Sequence, residues 1–162
     1  YPKNPQRLMR VFRLVKEKMP TVKIAVVGTG DLEKEIKELA KEYGLVDNVD
    51  FLGFQSNPSK ILYDSKVMVM TSRWEGTPMC ALEALALGVP IVSTPTDGMR
   101  DLIELDENGF LSEDDNMLAK KIVELVSDAN KQLESSKKAR DFSVRYNNIQ
   151  TYKLAIMQSY KK

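Results

Sequence analysis

Two carboxylates eight positions apart, Glu75 and Glu83, are the residues of this sequence best suited to chemistry. Glu75 precedes a glycine in a loop-like stretch, whereas Glu83 falls inside a predicted helix with Thr77 as N-cap and Pro78 as first residue. The helix is expected to end at Gly88, and its other residues are almost all apolar. We therefore expect Glu83 to be at least partly buried and to need a partner for its charge, such as a ligand hydroxyl.

The start of the same helix predicts an anion site. In residues 76–80, Gly-Thr-Pro-Met-Cys, the first N–H groups have no partner within the helix, and the helix dipole adds positive charge there. An ordinary capped helix would have the same sequence. Together with Glu83, however, a phosphate at the helix start and a diol bonded to the carboxylate would match the ribose and phosphate of a nucleotide.

A glycine turn, Gly28-Thr29-Gly30, follows a predicted strand and forms a second candidate site. The dinucleotide fingerprint Gly-x-Gly-x-x-Gly would need a third glycine where Glu33 stands, so an NAD(P) site has weak support. A tight turn is the alternative interpretation, since glycine adopts backbone angles that other residues avoid. In either case, the turn lets backbone amides approach a phosphate or ribose closely.

Composition excludes several classes of function. The 162 residues are 43% hydrophobic and 29% charged, as in one globular domain, and no apolar run is long enough to cross a bilayer. The net charge of +1 offers no general field for nucleic acid or anionic lipid. A single cysteine excludes an internal disulfide, and the absence of histidine excludes a Cys/His zinc cluster and the commonest general base.

The hydrophobic pattern alternates between strand and helix periods and predicts the elements that position these residues. Strands are expected at 22–27, 49–52, 67–70 and 89–93, with helices between them. This order indicates an α/β fold, a Rossmann-like doubly wound parallel sheet with helices on both faces. Ligands of such sheets bind beyond the carboxyl ends of the strands, so the glycine turn and the Glu75 loop are expected to share one crevice.

Helices are also expected after the glycine turn and throughout the C-terminal tail. The helix after the turn takes Asp31 as N-cap and Gly44 as C-cap. From about Asn116, the sequence predicts a helical tail with three apolar stripes: Leu118, Ile122, Leu125 and Val126; Leu133, Ala139 and Phe142; and Ile149, Tyr152, Ile156 and Tyr160.

Taken in order, several short motifs resemble the C-terminal half of retaining glycosyltransferases with the GT-B fold. This large family includes glycogen and sucrose synthases and many bacterial enzymes of cell-surface polysaccharides. The paired glutamates with seven residues between them are its best-known signature, and the match covers most of the chain. The motifs that carry the resemblance are Lys3-Asn4-Pro5, Gly28-Thr29-Gly30, Phe51-Leu52-Gly53-Phe54, Ser72-Arg73-Trp74-Glu75-Gly76, Leu82-Glu83-Ala84, 88–92 and 108–111.

The resemblance implies that residues 1–162 are a single nucleotide-sugar (donor) domain of an enzyme that transfers a hexose. By matching positions, Glu75 would contact the donor sugar and Lys3 the phosphates, as the two catalytic residues. Glu83 would accept hydrogen bonds from the ribose hydroxyls. Backbone N–H groups would serve the diphosphate and the sugar from the donor-binding stretch Gly76, Thr77, Pro78 and Met79.

The resemblance also assigns the nucleotide end of the site. Gly28 and Gly30 would line the nucleotide, and Phe54 and Gln55 would meet the base. The resemblance implies that base contact would be mainly through backbone atoms, so the side chains do not distinguish UDP-, GDP- and ADP-linked sugars. No metal or other cofactor is expected, since Lys3 and the helix start would stabilise the departing diphosphate. On composition alone, that lysine would be a solvated terminal charge.

Relatives in this family have parts that are not found in these 162 residues. A first strand ending in Gly-Arg and a whole acceptor-binding domain precede the lysine there, so we expect the chain to be part of a longer enzyme. Such a chain is expected to bind its donor weakly and to transfer nothing to a saccharide or lipid-linked acceptor. Cytoplasmic location is the default expectation, with peripheral attachment to the inner face of the membrane if the acceptor is lipid-linked.

Two alternative functions stay open. A non-catalytic nucleotide-sugar-binding or interaction module would keep Glu83 and the glycine turn but would transfer no sugar. A Rossmann oxidoreductase would bind NAD instead of a nucleotide sugar. The near-neutral charge gives no reason to expect a nucleic acid partner in any of these cases.

Overall fold

The computed structural model describes residues 2–147 and has an α/β fold in which helices and strands alternate. The elements are, in chain order, α1 (Pro5–Lys18), β1 (Ile24–Val27), α2 (Glu33–Glu42), β2 (Val49–Gly53), α3 (Ser59–Tyr63), β3 (Met68–Met70), α4 (Met79–Ala86), β4 (Ile91–Ser93), α5 (Asp97–Leu102), β5 (Gly109–Leu111), α6 (Asp115–Ser127) and α7 (Ala129–Tyr146). The strand pairs are parallel, as predicted. The third apolar stripe of the tail, at Ile149, Tyr152, Ile156 and Tyr160, lies outside the described residues.

The strands form two parallel sheets where the sequence predicts one continuous sheet. β1 pairs with β2, starting with Ile24 opposite Val49, and β4 lies between β3 and β5 in a three-stranded sheet. No backbone ladder joins β1 to β3 within residues 2–147. Ladder hydrogen bonds need neighbouring strands about 4.8 Å apart. The two sheets are therefore held together by a shared hydrophobic core and its helices, not by strand pairing.

The central strand β4 carries a hydrophobic core on each of its faces. Successive side chains of a strand point to opposite faces, and the fully buried Ile91 and Val92 accordingly enter different cores. Val92 packs in the core formed by α1, α2 and α6 with β1 and β2. Ile91 packs in the core formed by α4, α5 and α7. Helices therefore cover both faces of the sheet, as predicted.

Two helices end in the glycine turns that the sequence predicts. Gly44 follows α2 and Gly88 follows α4, with φ angles of 66° and 76°, in the left-handed region that glycine adopts without strain. The N–H of Leu45 donates back to the last turn of α2 at 2.7 Å, and the N–H of Val89 does the same to α4 at 2.8 Å. Each helix is thus followed at once by a buried residue on the way to the next strand.

Helix starts and two short elements differ from the sequence prediction. The N-cap of α2 is Leu32 instead of Asp31, and the N-cap of α4 is Pro78 instead of Thr77. Neither cap makes a side-chain hydrogen bond, so packing and not a capping side chain sets these starts. The sequence prediction also lacks α5 and β5, because the six residues of α5 are too few for a helical period and β5 begins with a glycine, a residue depleted in strands.

The helical tail follows the prediction except at one position. Ala139 and Phe142 are buried as expected, but Leu133 of the same predicted stripe is 68% exposed. Steps of three residues fall short of a full helical turn by roughly 60° each, so Leu133 lies about half a turn away from Phe142. Among the helices within residues 2–147, none is long and apolar enough to span a membrane.

An ion-pair cluster around Arg7 fixes α1 to the start of α6. Nε of Arg7 lies 2.6 Å from Oδ1 of Asp115, and its Nη1 lies 2.9 Å from Oε2 of Glu113. A third N–H of the guanidinium donates to the backbone O of Glu113. Burial of the guanidinium opposes its charge, but the hydrogen bonds to Glu113 and Asp115 outweigh this and raise the pKa of Arg7. Because α1 follows Lys3 directly, this cluster also supports the segment that carries Lys3.

Replacing Arg7 should therefore destabilise the fold. Arg7→Gln removes charged hydrogen bonds to two carboxylates, and we expect it to lower the free energy of unfolding by about 1–2 kcal/mol, as measured in urea. Glu134→Gln is the matched control, because Glu134 is exposed and its partner Lys138 lies one turn away within the same helix α7. The control should unfold at the same urea concentration as the wild type, and equal losses for both variants would contradict the role of Arg7.

Candidate functional site

The loop that carries Glu75, residues 71–78, leaves β3 at its carboxyl end and is fixed to the end of β4. The hydroxyl of Thr94 donates to the backbone O of Ser72 at 2.6 Å, and the Thr94 N–H donates to the O of Met70 at 3.1 Å. The Ser72 hydroxyl in turn donates to Oε1 of Glu75 at 2.6 Å. The Glu75 side chain is only 10% exposed. Its carboxylate is thus held in one place at the carboxyl end of the three-stranded sheet.

The structure brings together the two residues to which the family resemblance gives catalytic roles. Nζ of Lys3 lies 2.7 Å from Oε1 of Glu75, and the Lys3 side chain is 68% exposed. Lys3 and the Ser72 hydroxyl both contact Oε1, and no donor within residues 2–147 contacts Oε2. One carboxylate oxygen is therefore held in place, and the other is available to a ligand.

Backbone contacts hold the Lys3 segment beside this loop. The N–H of Arg73 donates to the O of Pro2 at 2.8 Å, and the hydroxyl of Thr71 donates to the O of Asn4 at 3.1 Å. Asn4 has φ 47° and ψ 56°, a left-handed conformation that asparagine tolerates better than most residues. Lys3 therefore lies between two anchored carbonyl groups and next to Glu75.

The start of α4 presents backbone N–H groups without acceptors. The chain is extended at Pro78, the N-cap of α4, and no side chain caps the helix. In the described part of the chain, no acceptor takes the N–H groups of Gly76, Thr77, Met79 or Cys80. Free N–H groups and the positive end of the helix dipole attract anions. The geometry of this stretch suits the anion site that the sequence predicts.

Glu83 is exposed, which makes the prediction of burial wrong. It lies on one face of α4 with Met79 a turn earlier and Ala86 a turn later, and this face is exposed although two of its three residues are apolar. The buried residues of α4 point the other way into the core. Within residues 2–147, no side chain or backbone group pairs with the Glu83 carboxylate. Its acceptor capacity is therefore free for a ligand in solution.

The predicted nucleotide-end residues gather at the ends of β1 and β2. Gly28 has a φ of 117°, which only glycine adopts readily, and its N–H donates to the O of Gly53 at 2.7 Å. Gly30 has open space on the side where a side chain would stand. The Phe54 ring is 75% exposed, and the Gln55 side chain donates back to β2 at 2.7 Å. An exposed ring and a bare glycine turn leave room for a flat ligand.

The candidate residues thus form two groups. Lys3, Glu75 and Glu83 surround the start of α4, whereas the glycine turn and Phe54 belong to the other sheet. In the described chain, no hydrogen bond or ion pair joins the 28–30 turn to the 71–78 loop. The single crevice that the sequence predicts therefore stays a prediction.

The residues that hold the Glu75 loop were missed by sequence reasoning. Ser72 and Thr94 act through hydroxyl groups, and Gly98 donates its backbone N–H to the O of Glu75 at 3.1 Å. The only available signal was the stretch from Pro95 to Gly98, whose Pro, Thr, Asp and Gly are typical of a turn after a strand. Such a signal predicts a turn but not the element that it supports.

Carboxylates near the loop are not arranged as a metal site. Within residues 2–147, no group of three or more histidine, cysteine, aspartate or glutamate side chains is placed to hold a metal ion. Positive charge at the loop is supplied by Lys3, by the exposed Arg73 of the loop itself and by the N–H groups at the start of α4.

The pKa of the Cys80 thiol, in the first turn of α4, depends on the charges around the loop. Burial raises the pKa of Cys80, the positive charge of Lys3 opposes this rise, and the negative charges of Glu75 and Glu83 add to it. Lys3 and both glutamates are therefore close enough to the helix start to act on the same group.

Alkylation of Cys80 should report these charges, since it is the only cysteine of the chain. A raised pKa leaves less thiolate at a given pH, so iodoacetamide should label Cys80 more slowly than free glutathione and gain rate as the pH rises. Lys3→Met should slow labelling further, and Glu75→Gln should speed it, as followed by mass spectrometry. The urea-unfolded chain is the control for intrinsic reactivity. Rates that neither substitution changes would contradict this placement of the charges.

Sequence comparison finds glycosyltransferases. The family model described as "Glycosyl transferases group 1" matches residues 1–142. An uncharacterized glycosyltransferase of Haemophilus influenzae is 32% identical over 142 residues, which cover 86% of this chain and 40% of the relative. The poly(ribitol-phosphate) alpha-N-acetylglucosaminyltransferase of Staphylococcus aureus is 34% identical over 83% of this chain and 28% of its own length. The chain thus spans less than half the length of these relatives.

Solved structures of glycosyltransferases share the fold. The S. aureus enzyme TarM, in complex with fondaparinux, alpha-GlcNAc-glycerol and UDP, has a TM-score of 0.91 and 28% identity, covering 100% of this chain and 34% of TarM. Anabaena HepE, in complex with UDP and glucose, has a TM-score of 0.84 at 23% identity, covering 99% of this chain and 45% of HepE, and supports the fold alone. The expected half of a GT-B fold is confirmed, and the chain belongs to the group 1 glycosyl transferases.

Proposed function

We propose that this chain is the nucleotide-sugar domain of a retaining glycosyltransferase that transfers a hexose to a saccharide or lipid-linked acceptor. The observation that carries the proposal is the 2.7 Å contact between Lys3 and Glu75 beside the unpaired N–H groups at the start of α4. This arrangement puts a cation and a carboxylate in contact with each other, at the loop segment that leads into the anion site. A nucleoside diphosphate sugar presents the matching groups, which are a diphosphate and a polyhydroxylated ring.

The diphosphate would bind at the start of α4. Gly76, Thr77, Met79 and Cys80 offer backbone N–H groups there, and the helix dipole adds positive charge. Lys3 is exposed, so its ammonium can contact a phosphate oxygen without a large cost of desolvation. Breaking the bond between sugar and diphosphate creates an anion, and these same donors would stabilise it as the leaving group forms. A bound metal is not part of this proposal.

The nucleoside would extend from this point along α4. Glu83 follows Met79 by one turn, about 6 Å along the helix axis, and lies on the same exposed face. A carboxylate with two free oxygens can accept hydrogen bonds from both hydroxyls of a ribose diol. Beyond the ribose, the base would meet the 28–30 turn and the exposed ring of Phe54, with Gln55 beside it. In this arrangement, the base would be held mainly by backbone groups.

Glu75 would act on the donor sugar. The contacts of Ser72 and Lys3 with Oε1 orient the carboxylate and leave Oε2 facing a ligand. A fixed negative charge next to the reacting carbon stabilises the oxocarbenium-like centre that develops as the bond to the diphosphate breaks. We propose that the sugar keeps its anomeric configuration, as the family resemblance implies.

The acceptor would bind to a second domain. The chain spans 40% of the H. influenzae relative and 28% of the S. aureus one, so it corresponds to one part of such enzymes. Some of its relatives act on poly(ribitol-phosphate) and poly(glycerol-phosphate), which supports a cell-surface polysaccharide as the product. We propose a cytoplasmic enzyme, with peripheral attachment to the membrane if its acceptor is lipid-linked.

Calorimetric titration with UDP, GDP, ADP and NAD tests the proposed ligand class. We expect one nucleoside diphosphate to bind more tightly than the others. NAD should bind no better than ADP, because the proposed contacts reach only the ADP part of NAD. Tighter binding of NAD would instead indicate an oxidoreductase. Incubation with the sugar derivative of the preferred nucleotide tests the proposal that the acceptor binds to a second domain. Sugar transfer by the 162-residue chain alone would contradict that proposal.

Glu83 should be needed for nucleotide binding. Glu83→Ala removes two charged hydrogen bonds to the ribose, and we expect it to weaken binding of the preferred nucleoside diphosphate by about 1–3 kcal/mol in calorimetry. The exposed Glu38 of α2 provides the control, since Glu38→Ala removes the same charge from a helix that contains none of the proposed contact residues. Unchanged affinity in a folded Glu83→Ala variant would refute this role.

A further inference from the structure

The backbone of Glu75 and Gly76 packs against α5 at a position where only glycine fits. The Gly98 N–H donates to the O of Glu75 at 3.1 Å. A Cβ atom added to Gly98 would lie 3.1 Å from that same oxygen and 1.2 Å from the O of Gly76. Atoms that are not bonded cannot approach to 1.2 Å. Two successive carbonyl groups of the loop therefore face the one residue of α5 that has no side chain.

This packing determines where the N–H groups of the loop point. In a trans peptide the C=O and the N–H point in opposite directions, and no peptide bond within residues 2–147 is cis. Because the carbonyl groups of Glu75 and Gly76 face Gly98, the N–H groups of Gly76 and Thr77 point away from α5. Both residues are exposed, and neither N–H has an acceptor in the described chain.

We propose that Gly98 is a positioning residue for the diphosphate: its missing side chain lets two loop carbonyls turn inward, so that the next two N–H groups turn outward to the ligand. The inference rests on the proposed function, because it assumes that these N–H groups bind the diphosphate. Gly98 itself touches no part of the ligand. It acts through the peptide groups between Glu75 and Thr77.

An alanine at this position separates packing from backbone strain. Gly98 is in the helix α5 and its φ lies outside the left-handed region, so alanine can adopt its backbone conformation. Alanine is also the better helix former. Any effect of Gly98→Ala on the site must therefore come through displacement of the Glu75 and Gly76 carbonyl groups.

Gly109 in β5 provides a matched control. A Cβ atom added there would lie 2.3 Å from the backbone O of Ile91, so Gly109→Ala also creates a clash with buried backbone. Gly109 contacts β4 and Ile103 and does not contact the Glu75 loop. The two alanine variants thus share the cost of a steric clash and differ in whether the loop is displaced.

The test compares a nucleoside diphosphate with its nucleoside. The probe is whichever of UDP, GDP and ADP the wild type binds best, titrated beside uridine, guanosine or adenosine. For Gly98→Ala, we expect the affinity for the diphosphate to fall at least about tenfold, as for the loss of hydrogen bonds to a charged group, while the nucleoside affinity changes less than about twofold. Gly109→Ala should keep the wild-type ratio of the two affinities, even if its unfolding temperature falls.

An NMR titration of the wild type covers the case in which Gly98→Ala does not fold. The amide signals of Gly76 and Thr77 should shift with the nucleoside diphosphate and stay in place with the nucleoside. An unchanged affinity ratio in folded Gly98→Ala would overturn the role of Gly98 alone. Amide signals that do not shift with the diphosphate would overturn both the role of Gly98 and the proposed placement of the diphosphate at these N–H groups. A wild type that binds none of the three diphosphates would overturn the proposed function itself, and this inference with it.

Discussion

The pairing of β4 with strands on both of its edges is the constraint on which the rest of the molecule depends. Because Ile91 and Val92 are buried on opposite faces, β4 cannot shift without disturbing both hydrophobic cores. β3 and β4 are adjacent and parallel, so the loop after β3 and the turn after β4 both leave the sheet at its carboxyl end. Their contacts through Thr94 and Gly98 are thus a consequence of strand order. A site built on such a frame needs few side chains of its own.

Polar groups in the 71–78 loop divide into those that fold the protein and those left for a ligand. The carbonyl groups of Glu75 and Gly76 and one oxygen of the Glu75 carboxylate face protein. The N–H groups at the start of α4 and the second carboxylate oxygen have no partner within residues 2–147. Leaving polar groups unpaired costs little here because the surface is open to water. Each unpaired group is next to one that is fixed, so the site is preorganised without being buried.

Sequence patterns predicted the helices and strands better than they predicted the surroundings of individual side chains. Glycine turns at Gly44 and Gly88 follow from local backbone chemistry, and the structure has both. The exposure of Glu83 was predicted wrongly, since an apolar helix can turn methionine and alanine toward solvent when its other face alone meets the core. The contact of Gly98 with the loop was not predictable, because it joins the loop after β3 to the helix after β4 and depends on the absence of an atom. Turns and helices follow from residues that are close along the chain, whereas contacts between distant segments do not.

The left-handed conformation of Asn4 alters which amino acid replacements count as conservative near this site. The Asn4 side chain makes no hydrogen bond that caps α1, and its backbone O is the group held by Thr71. A homologue with glycine at this position would preserve the path of the Lys3 segment, although the two side chains have nothing in common. A valine or an isoleucine there would strain the same segment. In an alignment, variation at position 4 is therefore a record of backbone geometry and not of side-chain chemistry.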